Sequence, residues 1–240
     1  RTMTLPELKP QGLWKFFDDL NSIPRPSKKE ERVREWVVKL GHDWKFKTQI
    51  DEVGNVLIQK PATPGMENRT PIVMQSHLDM VCQKNADTDF NFDEDGIRMY
   101  VDGDWVRAQG TTLGADNGIG VATILAVLDS SDIPHPAIDA LFTIDEETGM
   151  TGALGLKGGF LEGQILLNLD TEDDDEISIG CAGGVDVTSK VTYESEVPVE
   201  GLKAMKLAFT GGSGGHSGMD IHKGIANANK LMNRLLLVAY

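Results

Sequence analysis

Up to Asp170, strand-length apolar runs alternate with helical patterns, and this alternation restricts the fold more than any other feature of the sequence. The runs are GNVLIQK, PIVMQSHLDMV, AIDALFTID and QILLNLD. Strands that are apolar on both faces need cover on both sides of their sheet, and crossover helices supply that cover. The pattern therefore predicts an α/β domain, in which helices flank a sheet.

Three helices are predicted in this part of the chain. The first runs near Gly12 to Ser22, and the second lies in SKKEERVREWVVKL. Ser27 and Glu30 have the spacing of a capping box at the start of the second helix. Its apolar stripe consists of Val33, Trp36, Val37 and Leu40. The segment GADNGIGVATILAVLDS changes from loop to helix near Asp116.

The pattern changes after about Gly183. The segments VDVTSKVTYESEV and LKAMKLAFTGG alternate like strands of a half-exposed antiparallel sheet, and HKGIANANKLMNRLLLVAY begins a helix. The sequence therefore predicts two domains, residues 1–183 and 184–240. Because two strands and one helix are too little for an independent core, we expect this chain to be the front part of a longer protein.

Composition excludes several classes of protein. The formal net charge is −14, which argues against a nucleic-acid backbone as a partner. No stretch approaches the roughly 20 apolar residues that a membrane span needs. Cys82 and Cys181 are too few for a disulfide scaffold, so the cysteine content indicates a reducing cytoplasm.

Acids and one histidine stand where apolar strands end or a helix begins. His77 and Asp79 lie two apart in HLD, so they point to the same face if the strand continues. Asp116 lies in a Gly-rich loop before a helix, and Asp170 ends QILLNLD. The acidic run at 145–147 follows another apolar strand. Each feature alone is also explained by a surface histidine, a helix cap or a solvated strand end.

Together these side chains predict a metal site. The carboxyl ends of strands in an open α/β sheet meet at one edge, and ligand sites form there. Cations at that edge would neutralise the clustered acids. One histidine with several carboxylates suits Zn²⁺, with Mn²⁺ or Co²⁺ as alternatives. Three ligating carboxylates are more than one zinc usually takes, so two metals that share a bridging carboxylate fit better.

The order of these motifs resembles the M20 metallopeptidases, and most closely their aminoacyl-histidine dipeptidase (Xaa-His dipeptidase) branch. The similar segments are QSHLDMV.QKN, GTTLGADNGIG, EETGM.GA.GL, CAGG.D and GGHSG..IH.G.ANANKL. The resemblance implies a zinc-peptidase-like mixed sheet flanked by helices. It also implies an inserted ferredoxin-like α+β lid, which dimerises and whose first half would be residues 184–240.

The resemblance further implies a role for each candidate residue in a dizinc centre. His77 and Asp170 would hold one zinc, Glu147 the other, and Asp116 would bridge the two. A further histidine ligand of the family has no counterpart in this sequence. The family also has a cis peptide bond at the position between Asp116 and Asn117.

Two more residues complete the catalytic machinery that the resemblance implies. Asp79 would orient His77, and Glu146 would act as the general base for the attacking water. These assignments describe hydrolysis of a peptide bond by a metal-activated water.

The segment TGGSGGHSGMDIHKG has several interpretations. A Gly-rich loop before a helix can cradle a phosphate, but the Lys-Ser or Lys-Thr of a P-loop is lacking. The glycines also suit a tight turn. The resemblance implies instead that His216 reaches an active site, that of a partner subunit, and stabilises the oxyanion there.

The expected function is metal-dependent hydrolysis of dipeptides, of the Xaa-His type, by a cytoplasmic homodimer. Another M20 hydrolase, a deacylase or a tripeptidase, is an alternative. A non-catalytic dimerisation module with a degenerate site is a second alternative, although Asp79 and Glu146 argue against it. A calcium module fits poorly, because calcium prefers oxygen ligands and His77 offers nitrogen.

Overall fold

The computed structural model describes residues 5–171, 175–181, 183–185, 187–216 and 218–239. They form two compact units, Arg1–Ser178 and Ile179–Tyr240. The first unit contains the sheet and all of the candidate metal ligands. The division into a catalytic and a lid domain at 183/184 stays a prediction.

The described strands of the first unit form a five-stranded mixed sheet and a separate hairpin. They are β1 (Lys47–Ile50), β2 (Val56–Lys60), β3 (Ile72–His77), β4 (Met99–Asp102), β5 (Trp105–Ala108), β6 (Ile138–Thr143) and β7 (Ile165–Asn168). The sheet has the order β1-β2-β6-β3-β7, and β4 pairs with β5 alone. β3 runs parallel to both β6 and β7, whereas β2 runs antiparallel to β1 and β6.

Helices pack on the sheet through one continuous apolar core. The helices are α1 (Gln11–Asn21), α2 (Glu31–Asp43), α3 (Ala115–Asp129) and the short α4 (Thr151–Gly155), and a 3₁₀ turn covers Leu5–Glu7. Alternate strand residues point to the same face, where α2 and α3 contact the strands, and α1 packs against α3. The core includes Phe17, Leu20, Val33, Val37, Ile58, Leu125, Ala140 and Phe142.

The predicted α/β fold class is confirmed, with a mixed sheet and flanking helices. Each of the three predicted helices and four predicted strands is present within a few residues of its expected bounds. β7 differs from the prediction in one respect: it is an edge strand whose four residues are all exposed, not a buried strand.

The predicted capping box is wrong. α2 begins at Glu31, and Glu30 is its N-cap residue, but the helix start has no side-chain capping hydrogen bond. The Ser27 hydroxyl donates instead to Asp79 Oδ2 at 2.7 Å, and Glu30 Oε1 accepts the backbone N–H of Asp145 at 2.9 Å. The charged and buried Asp79 thus replaces the helix end as the partner of Ser27, and the carboxylate of Glu30 accepts a backbone N–H that is distant in sequence.

The second unit contains a 3₁₀ turn at Ile221–Lys223 and helix α5 at Ala228–Ala239, so the predicted helix is confirmed. The two predicted strands are wrong, because no strand occurs among the described residues of this unit. Alternation favours a strand only where a neighbouring strand supplies backbone partners and cover. Here side chains such as Val185 and Val191 are exposed.

In the described part of the chain, no helix has the length and apolarity to cross a membrane.

Candidate metal centre

The candidate site lies at the edge where three adjacent parallel strands end. His77 is the last residue of β3, Glu146 and Glu147 follow β6, and Asp170 follows β7. β3 lies between β6 and β7, so His77 is central among these strand ends. The start of α3 brings Asp116 to the same edge. The sheet order thus joins residues that are almost one hundred positions apart.

The His77 ring is the centre of this group and is fully buried. Its Nε2 lies 3.0 Å from Asp116 Oδ1, 3.7 Å from Asp170 Oδ2 and 3.9 Å from Glu146 Oε2. Three carboxylates therefore surround one nitrogen.

Two overlapping groups have the compactness of a metal site. One ligand atom from each of His77, Asp116 and Asp170 lies within 4.8 Å of the others, and the same holds for His77, Glu146 and Glu147. The structure brings together all four predicted metal ligands and the predicted base. Because His77 Nε2 has one lone pair and can bind one cation, a second cation would depend on the carboxylates.

Asp79 is buried behind the histidine and holds several parts of the site at once. Its Oδ1 lies 3.2 Å from His77 Nδ1. Its carboxylate also accepts the backbone N–H groups of Glu146 and Glu147, both at 3.1 Å, and the Ser27 hydroxyl. Burial alone would raise the pKa of Asp79, but the hydrogen bonds from His77 and Ser27 outweigh it and lower the pKa to about 2.

The acidic run after β6 divides into one structural acid and two site acids. Asp145 is buried, adopts a φ of 52°, and accepts hydrogen bonds from the hydroxyls of Thr148 and Thr151. The left-handed turn separates it from Glu146 and Glu147, whose carboxylates lie near His77. The three acids are therefore adjacent in sequence, but only Glu146 and Glu147 belong to the site.

The start of α3 departs from helical geometry at Asp116 and Asn117. The peptide bond between them is cis, as the resemblance implied. Asn117 Nδ2 donates to Leu169 O at 2.7 Å and to Asp170 Oδ1 at 3.0 Å. This link between the start of α3 and the end of β7 was not predicted from the sequence, because an amide next to an acid gives no separate signal.

The charge states of the site suit a bound cation. Burial and the negative charge of Asp116 raise the pKa of Glu147 to about 7. Burial raises the pKa of Asp170 to about 6, against the opposing effect of His77. Burial would lower the pKa of His77, but hydrogen bonds to Asp116 and Asp79 raise it to about 10. Without a cation, bound protons reduce the repulsion between the carboxylates. A divalent cation would reduce the same repulsion, so this set of donor atoms fits a metal.

His216 belongs to the second unit and has a defined tautomer. Its Nδ1 accepts the backbone N–H groups of Gly218 and Met219, each at 3.0 Å. In the neutral imidazole one nitrogen accepts and the other donates, so Nε2 has the proton. This is the form that can donate a hydrogen bond to an oxyanion.

Comparison with known proteins gives close relatives over nearly the whole chain. No family model matches. The chain is 51% identical over 232 residues to the cytosol non-specific dipeptidase of Escherichia coli (strain K12), a match that covers 97% of this chain and 48% of that protein. The chain therefore spans about half the length of this curated relative.

Solved structures give the same result. The aminoacylhistidine dipeptidase from Vibrio alginolyticus has a TM-score of 0.76 and 49% identity, over 98% of this chain and 48% of that one. A tripeptidase from Staphylococcus aureus has a TM-score of 0.59 at 23% identity, over 70% of this chain and 45% of that one, and shows the fold alone.

The fold and site define an α/β protein with an acidic, histidine-centred cation site at the carboxyl edge of its sheet. Together with these relatives, they confirm the resemblance of this chain to the M20 metallopeptidases and to their aminoacyl-histidine dipeptidase branch.

Proposed function

We propose that the protein containing this chain is a metal-dependent dipeptidase. The observation with the most weight is the pair of compact groups around His77, which unite four separate sequence motifs at one sheet edge. The names of two relatives, a non-specific dipeptidase and an aminoacylhistidine dipeptidase, support dipeptides, including those of the Xaa-His type, as substrates.

The proposed cofactor is a pair of divalent cations, with Zn²⁺ first and Mn²⁺ or Co²⁺ as alternatives. His77 and Asp170 would hold one ion, Glu147 the other, and Asp116 would bridge them. When bound, such ions lower the pKa of a water molecule and polarise a carbonyl oxygen. The raised pKa values of Glu147 and Asp170 support this assignment, because both groups gain from a nearby positive charge.

The other residues act on protons and on orientation. Glu146 would accept the proton of the attacking water and deliver it to the leaving amine. Asp79 would accept the Nδ1–H of His77, which leaves Nε2 as the metal-binding nitrogen. His216 would donate its Nε2–H to the carbonyl oxygen as negative charge develops there.

The proposal extends to location and assembly. A cytoplasmic location agrees with the name of the Escherichia coli relative and with the two free cysteines. We further propose that residues 184–240 belong to a lid through which two subunits dimerise, with His216 serving the partner's site.

The test is to compare Glu146→Gln with Glu147→Gln in the intact protein, using metal analysis and the rate of dipeptide hydrolysis. Glu146→Gln should retain both ions and lower kcat by about 10²- to 10⁴-fold, because an amide cannot accept the water's proton. Glu147→Gln should lose one ion, since a neutral amide is a poor ligand.

Glu35→Gln, on the exposed side of α2, is the matched control and should change neither property. Loss of metal in Glu146→Gln with full metal in Glu147→Gln would reverse the two roles. Unchanged turnover in both variants would refute the proposed hydrolase activity. Cleavage of tripeptides or N-acyl amino acids in preference to dipeptides would favour the alternative M20 activities.

A further inference from the structure

Arg25 is a buried cation directly behind the candidate metal centre. Its side chain is 1% exposed, although arginine is seldom buried without a partner of opposite charge. No ion pair of Arg25 occurs within the part of the chain that the structure describes. Burial lowers its pKa to about 10, against the opposing effects of Asp79 and Asp116, so the guanidinium stays charged at neutral pH.

Four hydrogen bonds use all four Nη hydrogens of this guanidinium. Nη1 donates to Leu78 O and Asp79 O, both at 3.0 Å. Nη2 donates to Gly114 O at 2.6 Å and to Asn21 Oδ1 at 3.0 Å. The three carbonyls come from the two segments that present the site: the end of β3 with the residues that follow it, which includes His77 and Asp79, and the loop before α3.

Asn21, the last residue of α1, completes the connection. Its Oδ1 accepts from Arg25, and its Nδ2 donates to Leu113 O at 3.1 Å. Asn21 is itself 1% exposed. The two side chains therefore bind two pairs of consecutive carbonyls, Leu78–Asp79 on one segment and Leu113–Gly114 on the other. We call Asn21 and Arg25 the Asn-Arg bracket.

Two glycines make room for the bracket under the turn that contains Asp116. A Cβ on Gly114 would overlap Arg25 Nη2, and one on Gly118 would lie 2.8 Å from the same atom. Gly114 also has a φ of +74°. Because its position is fixed by four hydrogen bonds, the guanidinium cannot move aside as a free side chain would. The two glycines of the motif GADNG thus leave space for Arg25, and the same motif presents Asp116.

We propose that Arg25 is a positioning residue of the metal centre, holding the His77–Asp79 segment and the Asp116 turn at the separation that cation binding requires. Asn21 supports it in this role. Metal affinity depends on such outer contacts, because ligand atoms must lie within a few tenths of an ångström of their bonding positions. The inference rests on the proposed metal centre.

Lysine cannot replace this contact pattern. A guanidinium presents five N–H donors from three nitrogens in one plane, and Arg25 uses two of these nitrogens here, whereas an ammonium presents three donors from one nitrogen. Arg25→Lys therefore keeps the charge and removes the bracket, and Arg25→Met removes both. Asn21→Asp keeps an acceptor for Arg25 but loses the donor to Leu113 O.

The experiment measures Zn²⁺ affinity by chelator competition and the visible spectrum of the Co²⁺-loaded intact protein, at a temperature where each variant is folded. Both Arg25 variants should bind Zn²⁺ about 10- to 100-fold more weakly, the range for loss of a contact that orients ligands. Their Co²⁺ spectra should change as the ligand geometry relaxes. Asn21→Asp should show a smaller loss.

Val37→Ala in α2 is the control for a general loss of stability, because it removes buried core contacts. It should lower the melting temperature and leave both metal readouts unchanged. Wild-type affinity in Arg25→Lys would overturn the positioning role, and so would an equal loss of affinity in Val37→Ala. If His77→Ala retains full Zn²⁺ stoichiometry, the proposed metal centre itself is wrong.

If the Arg25 variants do not fold, Asn21→Asp and Asn21→Ala decide the question with the same two readouts. Weaker Zn²⁺ binding and an altered Co²⁺ spectrum in Asn21→Ala support the bracket. Unchanged binding in both variants overturns it.

Discussion

Metal binding at this site should release protons, and the number released should fall as pH rises. Without metal, the pKa of His77 is about 10, that of Glu147 about 7 and that of Asp170 about 6. All three are proposed ligands, and a ligand must lose its proton before it binds a cation. The perturbation is therefore the addition of Zn²⁺ to the metal-free protein at several pH values.

The expected count follows from those three pKa values. At pH 7 the imidazole holds about one proton, Glu147 about half and Asp170 about a tenth, so binding releases about 1.6 protons. At pH 6 the release rises to about 2.4, and at pH 8 it falls to about 1.1. The affinity for Zn²⁺ should increase with pH, with a slope equal to the number of protons released.

Isothermal titration calorimetry in two buffers of different ionisation enthalpy measures this number directly. The exposed histidine variant His42→Gln is the control and should give the same count at each pH. A release below about half a proton at pH 6 would show that the cation does not displace these protons. A release that is constant from pH 6 to pH 8 would contradict the titration of Glu147 and Asp170.

Three further predictions concern the supports of the site. Gly120→Ala should destabilise the fold, because its Cβ would overlap Ser76 Oγ; thermal unfolding would measure this, and an unchanged melting temperature would contradict it. Leu125→Ala should cost about 2–5 kcal/mol of unfolding free energy in a urea titration, since the side chain is fully buried. Ser27→Ala removes a donor to Asp79 and should weaken Zn²⁺ binding measured by chelator competition, without loss of helix content by circular dichroism.

The sequence predicted the sheet and its helices well because those elements have long, strong patterns. β3, β6 and α3 each contain an apolar run whose length and flanking residues distinguish strand from helix. The β4–β5 hairpin was missed, although its two-residue Gly103-Asp104 turn is a known hairpin signal, because its strands are only four residues long.

The wrong predictions share a physical cause: whether each local pattern formed its usual structure depended on partners distant in sequence. Ser27 has the right type and spacing for a helix cap, but the charged Asp79 offers it a stronger hydrogen bond. The strands expected after Gly183 needed a neighbouring strand, and none occurs among the described residues there. A local sequence pattern indicates which structure a segment can form, whereas its tertiary contacts determine which structure it does form.

The candidate site was predictable in position but not in its supports. Motif order and the ends of the apolar runs are sufficient to indicate His77 and its acids. Arg25 could not be identified, since an arginine between two prolines resembles an exposed loop residue until its burial is known. Asn117 likewise gained its role only from the approach of Asp170.

The supports also explain how five acids can lie so close together in the metal-free fold. Asp79 is stabilised by backbone N–H groups and by His77, and Arg25 adds a permanent positive charge behind it. The protons on His77 and Glu147 neutralise part of what remains. Because the folded state holds these two protons more tightly than the unfolded chain, the metal-free fold should lose stability as pH rises from about 4.5 to about 10.

A cation reverses that trend, since it replaces the protons and itself binds only the folded site. The stabilisation by Zn²⁺ should therefore grow with pH, as its affinity does. Arg25 cannot be displaced in the same way, because its hydrogen bonds go to backbone carbonyls and to Asn21 rather than to the ligands. The site thus combines exchangeable positive charge at the ligands with fixed positive charge behind them. The exchangeable charge, protons or a cation, sets the pH dependence of metal binding. The fixed charge of Arg25 keeps the two ligand segments in place in both the metal-free and the metal-bound protein.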